Sequence, residues 1–367
     1  MSKADQEHGL PPNKAEVSDP DTSAESVGDR SKLETLAKKY DECDMAKVIE
    51  RLPAQIEIAL EQEIPRLPAG PFNEVVIAGM GGSALPMDVL ADAFSEQLTV
   101  PISVWRQYDL PSSAHAKCLF IASSFSGGTE EVLSALELLP SRAKNVVVLC
   151  REDEPGGKQA ELARLGTERG YPVIRIPVSR EPEGFQPRSA IGYTVTFLAR
   201  ILSDAGILAN PQTELAGVPA FLRKVEIRPE AEGIAAWLAN RIPAVYTDER
   251  HLTSIARVTK IKFNENSKRP ALFNALPEAN HNEMIGFRNK DLGKFGLLYL
   301  HDPESHPRIR RRFNVMRELF EREGMTHAAF REWEMPGTTK VQRIFAALAF
   351  AEWCSYTLAL LDGLDPT

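Results

Sequence analysis

Two short stretches carry the residue types that can hold a phosphate group. Gly79-Met80-Gly81-Gly82-Ser83 follows an apolar run at residues 75–78 and precedes a helix-like segment at 84–94. The glycines let the backbone turn tightly, and Ser83 falls where a helix begins, so unpaired amides and the helix dipole there favour an anion at Gly82 and Ser83. Alone the signal is weak, because a dinucleotide loop or a purely structural turn has the same pattern. In the second stretch, Ser124, Ser126 and Thr129 surround Gly127 and Gly128, again on a turn that enters a helix. Three hydroxyls and the turn's amides can serve phosphate oxygens without a lysine, which disfavours a nucleotide P-loop. N-capping needs only one of those hydroxyls, so two such loops in succession favour phosphate binding.

The elements that must position these loops alternate. Apolar strand-like runs at 75–78, 102–105, 119–122 and 145–149 are separated by helix-like segments at 84–94 and 130–139, and a further helix is expected at 189–202. This predicts an α/β fold, a doubly wound parallel sheet flanked by helices, with ligands at the carboxyl ends of the strands. Ahead of it, Met45, Val48, Ile49 and Leu52 recur at three- and four-residue spacings, as in a helical arm. Residues 204–219, richer in Gly, Pro and polar residues, are the linker candidate. Beyond them, a helix to about 240, strands at 244–246 and 297–300 and a helix at 254–263 predict a second α/β unit, weakly suggestive of a repeat. The expected domains are a disordered polar tail at 1–30, a first unit at 31–205 and a second at 206–367.

At 367 residues with 43% hydrophobic and 26% charged side chains, the chain has the composition of an ordinary globular protein and the length of two units. A net charge of −8 argues against a nucleic-acid partner, whose binding would need clustered Lys and Arg. Cys43, Cys118, Cys150 and Cys354 lie far apart with no Cys-x-x-Cys pair, so no disulfide framework or zinc knuckle is expected, and a reducing, cytoplasmic setting fits. Residues 344–361 are long and apolar enough to cross a bilayer, but Glu352 interrupts them and Trp353 sits mid-segment, so a buried helix and no membrane partner are expected.

Read in order, Gly79-Met80-Gly81-Gly82-Ser83, Ser124-Phe125-Ser126-Gly127-Gly128-Thr129-Glu130-Glu131, Pro187-Arg188-Ser189, Asn264-Glu265-Asn266-Ser267-Lys268 and His281-Asn282-Glu283 resemble the bifunctional phosphoglucose/phosphomannose isomerases. The resemblance runs from about residue 34 to 367. It implies two sugar-isomerase (SIS) domains, a homodimer with sites at the interfaces, and a sugar-phosphate substrate. It implies no cofactor and no metal, and no grouping of His, Cys and carboxylates has metal-ligand spacing. By the same resemblance Ser83, Ser124, Ser126 and Thr129 cradle the phosphate, and Arg188 stabilises an enediolate. Glu265 carries a proton between C1 and C2, and His281, from the neighbouring subunit, opens the sugar ring. Without the family, Arg188 reads as a surface residue at a helix start and Glu265 as a solvated helix-end carboxylate. The other six histidines, His301 and His306 among them, are expected in loops or at the surface.

Three departures from the family pattern stand out. Gly128 replaces a common Asn, and Thr247-Asp248-Glu249-Arg250 lacks the glycines of the second unit's first loop. Family members continue past Asp-Pro to a helix with an active-site lysine, whereas this sequence ends at Asp365-Pro366-Thr367, leaving Lys268 and Lys340 as candidate replacements. The alternatives are a non-catalytic sugar-phosphate sensor, the isomerase half of a glucosamine-phosphate synthase, which would need a glutaminase domain, and a dinucleotide enzyme, for which the strand at 102–105 lacks a terminal carboxylate.

Overall fold

The computed structural model describes residues 26–139, 145–153, 156–286, 292–322 and 329–367. Most of the expected tail lies outside them. Its last residues do not behave as tail, because helix α1 (Ser26–Tyr40) already begins there. The arm continues through α2 (Met45–Glu50) and α3 (Leu52–Glu61). The Asp41 carboxylate accepts the amides of Met45 at 2.6 Å and Ala46 at 3.1 Å, which satisfies donors that a helix start leaves open. Met45, Val48, Ile49 and Leu52 are all buried, as their spacing requires.

The first sheet is built from β1 (Glu74–Ala78), α4 (Leu85–Ala93), β2 (Ile102–Trp105), β3 (Cys118–Ser123), α5 (Glu130–Leu138), β4 (Asn145–Arg151), α6 (Glu161–Glu168) and β5 (Val173–Ile176), followed by α7 (Ile191–Asp204). Its strands are parallel in the order β2-β1-β3-β4-β5, with Val75 opposite Ile102 on one side and Leu119 on the other. Every residue of β3 is buried, the signature of a strand covered on both faces. The order reverses between β1 and β3, and in open α/β sheets that reversal opens a crevice at the strand ends.

Residues 204–219, expected as a linker, hold α8 (Pro211–Ala216) and the start of α9 (Val218–Leu222), both packed against α3. Each begins with a proline in its first turn, where the missing N–H costs nothing, so the prolines that suggested a breaker are helix starts. The second sheet follows from α10 (Arg228–Leu238), β6 (Ile242–Asp248), α11 (Glu249–Glu265), β7 (Leu272–Leu276), α12 (Glu283–Gly286), β8 (Phe295–His301), α13 (Pro307–Arg322), β9 (Phe330–Glu334) and α14 (Lys340–Leu361). Its order, β7-β6-β8-β9, repeats that of the first four strands.

One hydrophobic core joins Val75, Ile77 and Leu119 of the first sheet to Val245, Leu298 and Leu300 of the second. Helix α14 runs through it, packed against α1, α2, α4, α9, α10 and α11. Its membrane-like apolarity is therefore spent inside the protein, with Phe350 stacked on Trp333 at 4.1 Å between ring centres. Glu352, the one charge in residues 344–361, meets Lys262 of α11 in a buried ion pair.

Of the four cysteines, Cys43 is exposed and the other three are buried. Burial pushes the Cys118 and Cys150 thiols up to about 11, and Cys354 higher still. Native protein treated with a thiol-specific chromogen should therefore release one equivalent rapidly and the remaining three only on unfolding.

Candidate active site

The crevice between β1 and β3 is built by backbone as much as by side chains. After Ala78 the chain passes through Gly79 and Met80 into a short turn of 3₁₀ helix at Gly81–Ser83, with Gly81 at φ 47°. A Cβ on Gly82 would lie 3.2 Å from the Arg188 Cα and from the Pro187 carbonyl oxygen, so glycine lets this loop touch the turn that carries Arg188. The Ser83 hydroxyl accepts the Phe125 amide at 2.9 Å, and the Ser123 hydroxyl donates to the Ser83 carbonyl at 2.9 Å. These two bonds lock the first glycine loop to the hydroxyl loop.

Within the hydroxyl loop, Ser124 and Thr129 share a hydrogen bond at 2.7 Å between their hydroxyls, and Ser124 also accepts the Gly127 amide at 3.0 Å. The Ser126 hydroxyl accepts the Gly128 amide at 3.2 Å. Thr129 occupies the N-cap position of α5, yet its side chain makes no capping hydrogen bond. The hydroxyls thus organise the loop rather than cap the helix. Because α5 points its amino end into the crevice, its first-turn amides are left to an anion.

Arg188 lies in a 3₁₀ turn at Pro187–Ser189 ahead of α7. Its Nε donates to the Asn266 Oδ1 at 2.6 Å and one terminal nitrogen donates to the Pro366 carbonyl at 3.2 Å. The same Nε is 3.7 Å from the Glu265 carboxylate, so the guanidinium, 13% exposed, faces the last residue of α11, which is 45% exposed. That arrangement sets a fixed cation beside a carboxylate still open to a ligand. Asn266, quoted in the sequence motif without a role, is the residue that orients Arg188. Nothing local in the sequence signals this, since the two lie 78 positions apart.

Of the two candidate lysines, Lys268 is at this site. Its ammonium donates to the carbonyls of Asn266 at 3.1 Å, Asp365 at 2.5 Å and Thr367 at 2.9 Å. Burial, and then the Arg188 charge, push it below its ordinary pKa, with Asp365 opposing. Lys340 instead donates to the Ser95 hydroxyl at 3.0 Å, at the far end of α14.

The structure thus brings Gly82, Ser83, Ser124, Ser126, Thr129, Arg188 and Glu265 to one crevice. His281 is not among them. It ends a 3₁₀ turn at Glu278–His281 and is exposed, and among the described residues no hydrogen bond or ion pair links it to Glu265 or Arg188. His301, expected in a loop or at the surface, closes β8 and is 2% exposed, and burial pushes its imidazole below the ordinary value. Among the described residues no three His, Cys, Asp or Glu side chains converge as metal ligands would.

Comparison with known proteins bears on the family and the fold. Residues 227–367 match the family model described as the bacterial phospho-glucose isomerase C-terminal SIS domain. A bifunctional phosphoglucose/phosphomannose isomerase of Caldicellulosiruptor bescii is 31% identical over 88% of this chain and 95% of its own length. A D-glucosamine-6-phosphate 4-epimerase of Sulfolobus acidocaldarius is also 31% identical, over 68% of this chain and 75% of its own. Among solved structures, the C-terminal domain of glucosamine-fructose-6-phosphate aminotransferase from Francisella tularensis superposes with a TM-score of 0.65 at 14% identity, covering 88% of this chain and 97% of that one. At that identity the likeness concerns the fold, two parallel sheets flanked by helices.

Gly127 tests the construction of the hydroxyl loop. Its φ of 70° suits glycine, and a Cβ there would fall 2.5 Å from the Ala160 Cβ. Gly127→Ala should lower the unfolding free energy by at least ~1 kcal/mol, measured by chemical denaturation, from the left-handed backbone alone.

Proposed function

The chain belongs to the bifunctional phosphoglucose/phosphomannose isomerase family, and on that premise we propose that the crevice interconverts glucose 6-phosphate and mannose 6-phosphate with fructose 6-phosphate. The observation that carries this is the pairing of Arg188 with Glu265 at 3.7 Å, on a turn that the first glycine loop touches at Gly82.

In this mechanism the phosphate sits on Ser83, Ser124, Ser126, Thr129 and the amino end of α5, with Gly82 giving it backbone access. The opened aldose then lies with C1 and C2 along Glu265. The Glu265 carboxylate takes the proton from C2, which leaves an enediol bearing negative charge on oxygen. Arg188, held rather than mobile, stabilises that charge as it develops. With the hydroxyl proton passed from O2 to O1, return of the carbon-bound proton to C1 gives the ketose, and the reverse path from C1 to C2 can deliver either C2 epimer. Neither step requires a cofactor.

His281 would open the pyranose ring, and in this proposal a second copy of the chain supplies it, which fits its exposure within one chain. A homodimer therefore completes the site in this proposal. Ile285 of α12, 67% exposed, and the exposed Leu272 and Phe273 of the edge strand β7 supply apolar surface near the His281 turn for such a contact. We take residues 31–205 and 206–367 as the two SIS domains, the match to residues 227–367 supporting the second, and the thiol chemistry fits a reducing cytoplasm. The equally identical epimerase favours one further substrate in the assay.

The test is a coupled assay that offers glucose 6-phosphate, mannose 6-phosphate and glucosamine 6-phosphate separately. Fructose 6-phosphate should form from the first two, and Glu265→Gln should lose about 10²- to 10⁴-fold in kcat. Saturable binding without turnover would replace the proposal by a sensor, and change at C4 of glucosamine 6-phosphate alone would replace it by an epimerase.

A further inference from the structure

We propose that Lys262 and Glu352 are positioning residues for this reaction: their buried ion pair fixes the amide of Asn266 and, through it, the guanidinium of Arg188 beside Glu265. The inference rests on the roles given above to Arg188 and Glu265.

Lys262 is 3% exposed and Glu352 6%, deep in the seam between α11 and α14. Stability does not explain such a pair, because apolar residues of similar volume generally serve a core at least as well. Its hydrogen bonds do have a direction. The Lys262 ammonium contacts one Glu352 oxygen and also donates to the Arg188 carbonyl at 2.8 Å. The other Glu352 oxygen accepts from the Asn266 Nδ2 at 3.1 Å, and the Ser355 hydroxyl, itself donating to the Ala351 carbonyl at 2.7 Å, accepts from the same nitrogen at 2.9 Å.

An ionised carboxylate can only accept, so it dictates which end of the Asn266 amide faces it. With Nδ2 turned to Glu352 and Ser355, Oδ1 must face Arg188, where it takes the Nε proton at 2.6 Å. Glu265 at 3.7 Å is too far to orient the guanidinium by a hydrogen bond. Arg188 is therefore aimed from behind, by a wholly buried amide, and Glu265 stays free for substrate. The chain of contacts holds the Arg188 backbone through Lys262 and its side chain through Asn266.

Two double variants separate positioning from folding. Lys262→Met with Glu352→Gln removes both charges and keeps an acceptor for Asn266, while Lys262→Met with Glu352→Met removes the acceptor too. Both should fold, as thermal unfolding will show, since neutral replacement of a buried pair is tolerated. The Gln variant, which keeps an acceptor for Asn266 but loses the Lys262 donor to the Arg188 carbonyl, should lose about three- to tenfold in kcat, and the Met variant about a hundredfold, each with KM for fructose 6-phosphate nearly unchanged. A second readout needs no turnover. The Nε–H signal of Arg188 in arginine-labelled protein, assigned by its loss in Arg188→Lys, should be protected from exchange in wild type and the Gln variant and exposed in the Met variant. Equal kcat in the two doubles with an unchanged Arg188 signal would overturn the inference. An inactive wild type whose Arg188 signal still responds as described would withdraw the isomerase proposal and leave the positioning geometry standing.

Discussion

Parallel pairing is the constraint from which the rest follows. A parallel strand cannot be reached by a tight turn, so the chain must travel back outside the sheet between strands, and every strand then ends on the same edge. In the first sheet β2 lies on the far side of β1, which makes β1 and β3 neighbours although β2 separates them in sequence. The loops that follow β1 and β3 emerge side by side, near enough for Ser83 and Ser123 to hydrogen-bond. A phosphate cradle made of two distant segments is a consequence of that order. Arg188 arrives from the turn before α7 and Glu265 from the end of α11, so the site gathers four separate returns of the chain.

What was legible in the sequence follows burial. Central strands such as Cys118–Ser123 and Asn145–Arg151 are continuous apolar runs, because both faces are covered, and they stand out against polar turns. The edge strand β9, Phe330–Glu334, alternates apolar residues with Arg331, Glu332 and Glu334, and β7 is five residues with Asn274 at its centre. Neither has the length or purity to be recognised alone, and short β5 was missed for the same reason. At the site the hydroxyl loops were readable because their chemistry is local. Glu265 was not, since by itself it is a half-exposed carboxylate at a helix end. Its motif singled it out, whereas Asn266 and Lys262 acquire meaning only from partners brought close by the fold.

Residues 344–361 show how one charged residue can decide between two environments. Hydropathy alone allows a membrane span, yet a lone carboxylate at mid-helix would be costly in lipid without a partner. Here Glu352 finds Lys262 on α11 and an amide from Asn266, so the carboxylate is compensated by protein. Those contacts also tie a long apolar helix directly to a polar crevice. Glu352 of α14 is thereby separated from Arg188 by a single side chain, that of Asn266.

The shared core also sets an order of assembly. During synthesis the first sheet is complete in sequence at Ile176 and its covering helix α7 at Asp204, but the helix that seals it to the second sheet is α14, made after every other described element. Until residues 340–361 leave the ribosome, Val75, Ile77 and Leu119 on one side and Val245 and Leu298 on the other lack part of the packing that α14 provides. The two halves therefore share one interior that neither can close alone, and it is complete only once α14 has docked between them.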